Sequence, residues 1–333
     1  MFHFGSFIAR SIVLMTLMFE AISSHAADAP AAKGDVRIQT FDYKQIGTLA
    51  IKADVLNSGE VTTLRPVIVW IHGGALINGH RASIPAWVRE SFLPRGYAIV
   101  SIDYRLAPES KLPVIVEDVV DAIAWARRDG PKLFQADGKR LAVIGGSAGG
   151  YLTLLTGYRV QPAPAALVSL WGYGDLGAPW TYASSTFKRH QSDKQLSSED
   201  VAQIEQGPVI SDSRQRQGDG GTYYQLTRRN GTWAEAVSGW NPQRDALKFV
   251  PFMPERNVSP QYPPTIILHG DQDTDVPFDS SARMAAALQQ HGVEHRLIRF
   301  AGAEHGLPNA PPQEVADGYR TAVEFVVKQL DAR

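Results

Sequence analysis

The chain contains no cysteine in its 333 residues. Disulfides and thiolate metal sites are therefore excluded, and the fold must stand on its buried core. Net charge is almost absent as well: 33 basic against 34 acidic side chains leave −1 at pH 7. No basic patch with interleaved aromatics is visible either, so nucleic acid and other polyanions are excluded as partners. A membrane-spanning run is also missing. The N-terminal candidate, Ser11–Phe19, is too short to cross a bilayer. It follows Arg10 and precedes Ser24-His25-Ala26, the pattern of a secretory h-region cleaved after Ala26. The expectation is a signal peptide over residues 1–26 and an exported bacterial protein, periplasmic or secreted, without stable membrane insertion after cleavage.

Apolar residues make up 44% of the chain, enough for a sizeable core. Strand-like runs alternate with helical ones along residues 27–333. Asp35–Lys44 and Leu49–Leu56 predict an opening antiparallel pair. Val67–Ile71, Tyr97–Asp103, Leu141–Ile144, Ala166–Trp171, Thr265–Leu268 and His295–Phe300 follow as further strands. Helices are expected over Val114–Arg128, Ser280–Gln290 and about Pro312–Leu330, the first with Val116, Val119, Val120, Ile123 and Ala126 at helical spacing. This alternation predicts an α/β fold, a mostly parallel sheet of about eight strands with helices on both faces. Ligand chemistry then belongs at the C-terminal ends of the strands.

One stretch breaks the rhythm. Residues 172–262, between two expected strands, read as an insert capping that end of the sheet, helical around Ser197–Gln206 and Trp233–Val237. Trp180, Tyr182, Tyr223, Tyr224, Trp233 and Trp240 either line a pocket for an aromatic or sugar-linked acyl group or form the insert's own core. Ser211–Gly221, rich in Gly, Asp, Arg and Gln, is expected to be mobile.

The candidate chemistry falls at the strand ends. Leu141–Ile144 runs into Gly145-Gly146-Ser147-Ala148-Gly149 and then into a helix beginning near Tyr151. A strand, Gly-x-Ser-x-Gly and a helix together make a turn that holds a serine Oγ above the sheet. A serine hydroxyl needs a base, and the base needs a carboxylate to fix its tautomer. His305, in Ala303-Glu304-His305-Gly306 after the last strand, is the candidate base. The loop His269-Gly270-Asp271-Gln272-Asp273-Thr274-Asp275 offers three acids that spacing alone does not separate. His269 reads as a structural support of that loop, and His291 and His295 as surface residues. Asp275 or Asp279 could instead cap the next helix. Val67–Ile71 ends in His72-Gly73-Gly74-Ala75, where two glycines let backbone amides turn toward an incoming carbonyl oxygen; the amide of Ala148 adds a third donor.

These segments, with Asp103-Tyr104-Arg105-Leu106-Ala107-Pro108-Glu109, resemble the α/β-hydrolase superfamily of esterase and lipase type, in that family's order. His72-Gly73-Gly74 and the Asp-Tyr-Arg-Leu-Ala-Pro stretch are similar to the hormone-sensitive-lipase-like and acetyl-esterase-like branch. Ala75 in place of a third glycine, and Gly146 in place of an aspartate, resemble instead the feruloyl- and acetylxylan-esterase-like branch, related to the prolyl oligopeptidase catalytic domain. The resemblance implies Ser147 as nucleophile, Asp273 as acid, His305 as base and Gly73, Gly74 and Ala148 as the oxyanion hole. Asp103 and Arg105 take a structural part. The implied activity is hydrolysis of a small-molecule carboxylic ester, among which acetylated or feruloylated carbohydrates are candidates, with no cofactor and no metal. Two rival readings are a prolyl-oligopeptidase-type serine peptidase and a catalytically silent hydrolase fold that only binds.

Overall fold

The computed structural model describes residues 35–333 apart from residue 192. The expected signal segment lies outside the described residues. Eight strands form one sheet: β1 (Val36–Ile46), β2 (Leu49–Ser58), β3 (Arg65–Ile71), β4 (Ala98–Ile102), β5 (Ala136–Gly146), β6 (Ala166–Leu170), β7 (Thr265–Gly270) and β8 (His295–Phe300). Their spatial order is β1-β2-β4-β3-β5-β6-β7-β8. The pairs β1–β2 and β2–β4 are antiparallel, and every other pair is parallel. The expected α/β architecture and its opening antiparallel hairpin are both present.

Strand residues alternate between two apolar layers because successive side chains point to opposite faces. Val67, Val69 and Ile71 of β3 join one layer with Val100 and Val143. Ile68 and Trp70 join the other with Ile99 and Ile144. Helix Leu112–Arg128 covers the first layer with Ile115, Val116, Val119 and Ile123, and Ala148–Arg159 and Phe278–Gln290 lie on the same side. Ala86–Phe92 and Pro312–Asp331 cover the second through Val88, Phe92, Val323, Val326 and Leu330. Burial on both faces is why these strands read as continuous apolar runs. Strand β5 starts five residues before the expected Leu141, since Ala136 already pairs with Arg65 of β3 and the polar Asp137–Arg140 lie within a shift of register before Leu141.

The β6–β7 connection carries short helices at Pro179–Tyr182, Ser198–Glu205, Gly220–Asn230, Trp233–Ser238 and Ala246–Phe249. Ser197 and Asp200 form a reciprocal capping box, which accounts for the expected helix there. Helix Gly220–Asn230 was not expected; its Asp219 cap follows a run of turn residues, and its first two positions are glycines. The segment Ser211–Gly221 is pinned, contrary to expectation. Ser213 and Gly79 exchange two hydrogen bonds, the Gly79 amide donating to Oγ and the Ser213 amide to the Gly79 carbonyl, both at 3.1 Å. Arg216 makes a two-point ion pair with Glu109, at 2.7 Å each, and both side chains are only 2% exposed. The same guanidinium donates to the carbonyls of Ile77 and Ala107. Composition suggested mobility because the partner of Arg216 lies about a hundred residues away in sequence.

Removing one partner of a buried ion pair strands the other charge. Glu109→Gln should therefore destabilise the fold by about 3–5 kcal/mol in urea unfolding. A loss below about 1 kcal/mol would contradict the buried clamp.

Candidate active site

The turn after β5 has no room for side chains at two of its glycines. A Cβ at Gly149 would lie 2.6 Å from the His72 carbonyl oxygen and closer still to that of Ile71. One at Gly145 would collide with the Gly149 carbonyl. Between them Ser147 adopts φ 56°, ψ −121°, outside the regions a serine normally favours. Its amide donates to Leu170 of β6 at 2.8 Å, and its carbonyl accepts from Tyr151 at 3.0 Å, starting helix Ala148–Arg159. Gly146 differs: the nearest atoms to a Cβ there are the Trp171 indole, 3.5 Å away.

Ser147 Oγ lies 3.0 Å from His305 Nε2. The other ring nitrogen, Nδ1, donates to Asp273 Oδ2 at 2.7 Å. The structure thus brings together three side chains from the ends of β5, β7 and β8. Because Nδ1 faces a carboxylate, it carries the proton, which leaves Nε2 free to accept from the serine hydroxyl. Asp273 is separated from its acidic neighbours by its partners. Its Oδ2 also accepts from His269 Nε2 at 3.0 Å, and its Oδ1 accepts from the amides of Asp275 and Val276, each at 2.8 Å. Burial alone would push this carboxyl up, but the hydrogen bonds from His269 and His305 hold it down at about 2. Asp271 instead pairs with Arg299 at the surface. His269 is fully buried, its Nδ1 meeting Ser281 Oγ at 2.7 Å, as befits the support of this loop.

Asp275 does not cap the following helix, whose N-cap is Pro277 without a side-chain bond. It lies 3.7 Å from His305 Nε2, surrounded by residues of the β6–β7 connection: His190 Nε2 at 3.0 Å, Arg228 Nη1 at 3.1 Å and the Tyr224 hydroxyl. Burial would raise its pKa, but the bond from His190 and the charges of His305, Arg189 and Arg228 drive it well below the carboxylate range. Glu304 braces the same loop, accepting from the Thr274 amide at 2.7 Å and from the His305 amide and Arg189 at 2.6 Å. The Trp171 ring meets the His305 ring edge-on at 6.3 Å. The sequence offered no signal for the Asp275 cluster or for Trp171; the adjacency of Glu304 to His305 was visible without its meaning.

On the opposite side of the serine, the loop after β3 is locked by its first histidine. His72 stacks on Tyr104 at 4.3 Å, and the Tyr104 hydroxyl donates to the His72 carbonyl at 2.9 Å. Burial pushes the His72 imidazole down to about 4, so it is neutral. Gly73 passes so near the serine that a Cβ would sit 3.2 Å from Ser147 Cβ. Gly74 takes φ +110°, open to glycine, and its carbonyl accepts from the amides of Ile77 and Asn78. Ala75 and Leu76 also take positive φ, 59° and 63°. Ala148 is the first residue of its helix, so its amide has no intrahelical acceptor. Asp103 and Arg105 are structural: Asp103 binds Arg81 at 2.6 Å and Arg105 binds Asp118 at 2.7 Å. Of the insert's aromatics, Trp233 and Tyr223, each 1% exposed, join the apolar layer on the first face of the sheet, and Trp180, Tyr224 and Trp240 pack against it. Among the described residues, no group of three or more metal-ligating side chains could hold a metal ion, and no helix is long and apolar enough to cross a membrane.

A family model described as BD-FAE matches residues 54–288. The non-reducing polyketide synthase atr1 of Stereocaulon alpinum is 27% identical over 347 aligned residues, covering 92% of this chain but 14% of that protein. The chain thus spans about one-seventh of the length of the first curated relatives it matches. Esterase LipC of Mycobacterium tuberculosis is 42% identical over 92 residues, 28% of this chain and 23% of that protein. Among solved structures, a protein of unknown function from Staphylococcus aureus subsp. aureus Mu50 superposes with a TM-score of 0.69 at 22% identity, covering 88% of this chain and 99% of the other. Thermogutta terrifontis esterase 2, phosphoramylated by tabun, gives 0.61 at 21% identity, covering 87% and 94%. These likenesses show a shared α/β-hydrolase fold.

Two outcomes follow from this geometry. Gly149→Ala should cost about 3 kcal/mol through overpacking against backbone, while Gly146→Ala should change stability by less than about 1 kcal/mol in thermal unfolding. Equal effects would contradict the elbow described. Asp273 has a depressed folded pKa, so its stabilising contribution is complete above about pH 4 and is lost as pH falls toward 2. Thermal melts of Asp273→Asn should decline less steeply than wild type across that window; parallel declines would contradict the assignment.

Proposed function

The chain belongs to the BD-FAE family, α/β hydrolases of esterase type, and from that premise we propose that it is a serine carboxylesterase with Ser147 as nucleophile, His305 as base and Asp273 as acid. The observation that carries this reading is the unbroken chain from Ser147 Oγ to His305 Nε2 at 3.0 Å and from His305 Nδ1 to Asp273 at 2.7 Å. His305 Nε2 takes the serine proton as Oγ attacks the ester carbonyl. The carbonyl oxygen becomes an oxyanion facing the amides of Gly73, Gly74 and Ala148; losing one such donor costs about 3–4 kcal/mol in comparable sites. Collapse of the tetrahedral adduct expels the alcohol, whose oxygen receives the proton from Nε2. Water, deprotonated by the same nitrogen, then releases the acid from Ser147. Throughout, Asp273 stabilises the imidazolium and keeps its tautomer fixed.

Small esters are the proposed substrates, in keeping with the esterase names of LipC and of Thermogutta terrifontis esterase 2. The β6–β7 connection, which supplies the partners of Asp275, is the proposed cap of the site. Ser147→Ala should lower p-nitrophenyl acetate turnover by at least about a thousandfold with an unchanged melting temperature. Undiminished turnover would overturn the mechanism.

A further inference from the structure

Three buried polar atoms next to the triad have no hydrogen-bond partner among the described residues: the Tyr173 hydroxyl, Trp180 Nε1 and Arg228 Nε. Tyr173 is 1% exposed and Arg228 3%. Buried donors left unmade are costly, and native structures keep few of them. These three are neighbours. The Arg228 guanidinium lies 5.0 Å over the Trp180 ring and 5.5 Å over that of Trp233, and the Tyr173 ring meets the edges of both indoles, at 5.4 and 5.8 Å. Their surroundings are those of the site. Arg228 binds Asp275 at 3.1 Å, and Asp275 stands 3.7 Å from His305 Nε2. Trp233 Nε1 donates to the Ala75 carbonyl of the loop after β3 at 3.1 Å. The cluster therefore lies between that loop and Asp275.

We infer that Tyr173, Trp180 and Arg228 form a specificity subsite that binds an oxygen acceptor on the alcohol half of the ester, an inference that rests on the serine-esterase reading. Two considerations set the chemistry. An indole N–H and a guanidinium N–H can only donate, and a hydroxyl can donate as well, so the missing group is an acceptor. The Arg228 guanidinium is already paired with Asp275 at 3.1 Å, so it offers no unopposed charge to an anion, which favours a neutral ether, hydroxyl or carbonyl oxygen. The side follows from His305. Its Nε2 returns the proton to the departing alcohol, and Asp275 stands 3.7 Å from that nitrogen with Arg228 bound to it at 3.1 Å. The subsite thus flanks the leaving group.

A matched pair of esters tests this: 2-methoxyethyl acetate and butyl acetate have the same chain length and differ by one ether oxygen in place of a methylene. Acetate release in a pH-stat gives kcat/KM for each, divided by its rate with hydroxide to remove intrinsic reactivity. The wild-type enzyme should prefer the ether ester by about fivefold or more, the range of one or two new hydrogen bonds. Tyr173→Phe and Trp180→Phe should each bring that ratio toward one. Because the Tyr173 hydroxyl has no partner in the free protein, Tyr173→Phe should leave the melting temperature level or raise it. If wild type hydrolyses both esters with a ratio of one, the donors serve ordered water only and the subsite is overturned while the serine mechanism stands. A preference untouched by both substitutions overturns it equally. If neither ester is turned over and Ser147 resists a fluorophosphonate probe, the esterase reading itself fails, and the subsite with it.

Discussion

The bond between His305 Nδ1 and Asp273 Oδ2 is the contact on which the candidate site depends. A carboxylate with so little exposure survives only when its lone pairs are filled. Four donors fill those of Asp273: two imidazoles and two backbone amides of its own loop. Two of those donors come from the chain directly after the aspartate, so the loop following β7 is folded around its own charge. His269, at the end of the strand, meets the same carboxylate oxygen as His305. Orientation of the imidazole, and with it the approach of Nε2 to Ser147, is thereby set by the loop after β7.

The parallel sheet makes this arrangement possible. Strands β5, β7 and β8 all run the same way and end on one edge of the molecule. The turn after each delivers one side chain of the candidate triad to a common point, and the loop after β3 brings Gly73 beside the serine. The β6–β7 connection is tied into this edge at several separate places. Arg216 clamps the loop after β3 and the segment near Glu109, Trp233 reaches Ala75, and His190, Tyr224 and Arg228 surround Asp275. The insert is consequently part of the candidate site's framework.

Much of this was legible in the sequence, for identifiable reasons. Double-sided burial turns β3, β6 and β7 into mostly apolar runs, and the glycines around Ser147 and after Ile71 mark places where backbone approaches backbone. Such signals are local. What escaped notice depends on contacts across long stretches of chain. Asp275 gathers partners 47 and 85 residues away, and Arg216 finds Glu109 at a separation of 107. Helix Gly220–Asn230 opens with two glycines, so its start carried no helical pattern. Of the three acids after His269, position alone distinguished none; the family resemblance pointed to Asp273, and the partners of each carboxylate tell the three apart.

The central claim is that the Ser147 hydroxyl is activated by the His305–Asp273 pair. It is tested most directly by locating a covalent adduct. After treatment with a fluorophosphonate and proteolysis, mass spectrometry should find the added mass on the peptide holding Ser147 in wild type, and its formation should collapse in His305→Ala. Labelling at any other residue, or labelling of Ser147 that persists at full rate without His305, would contradict the account.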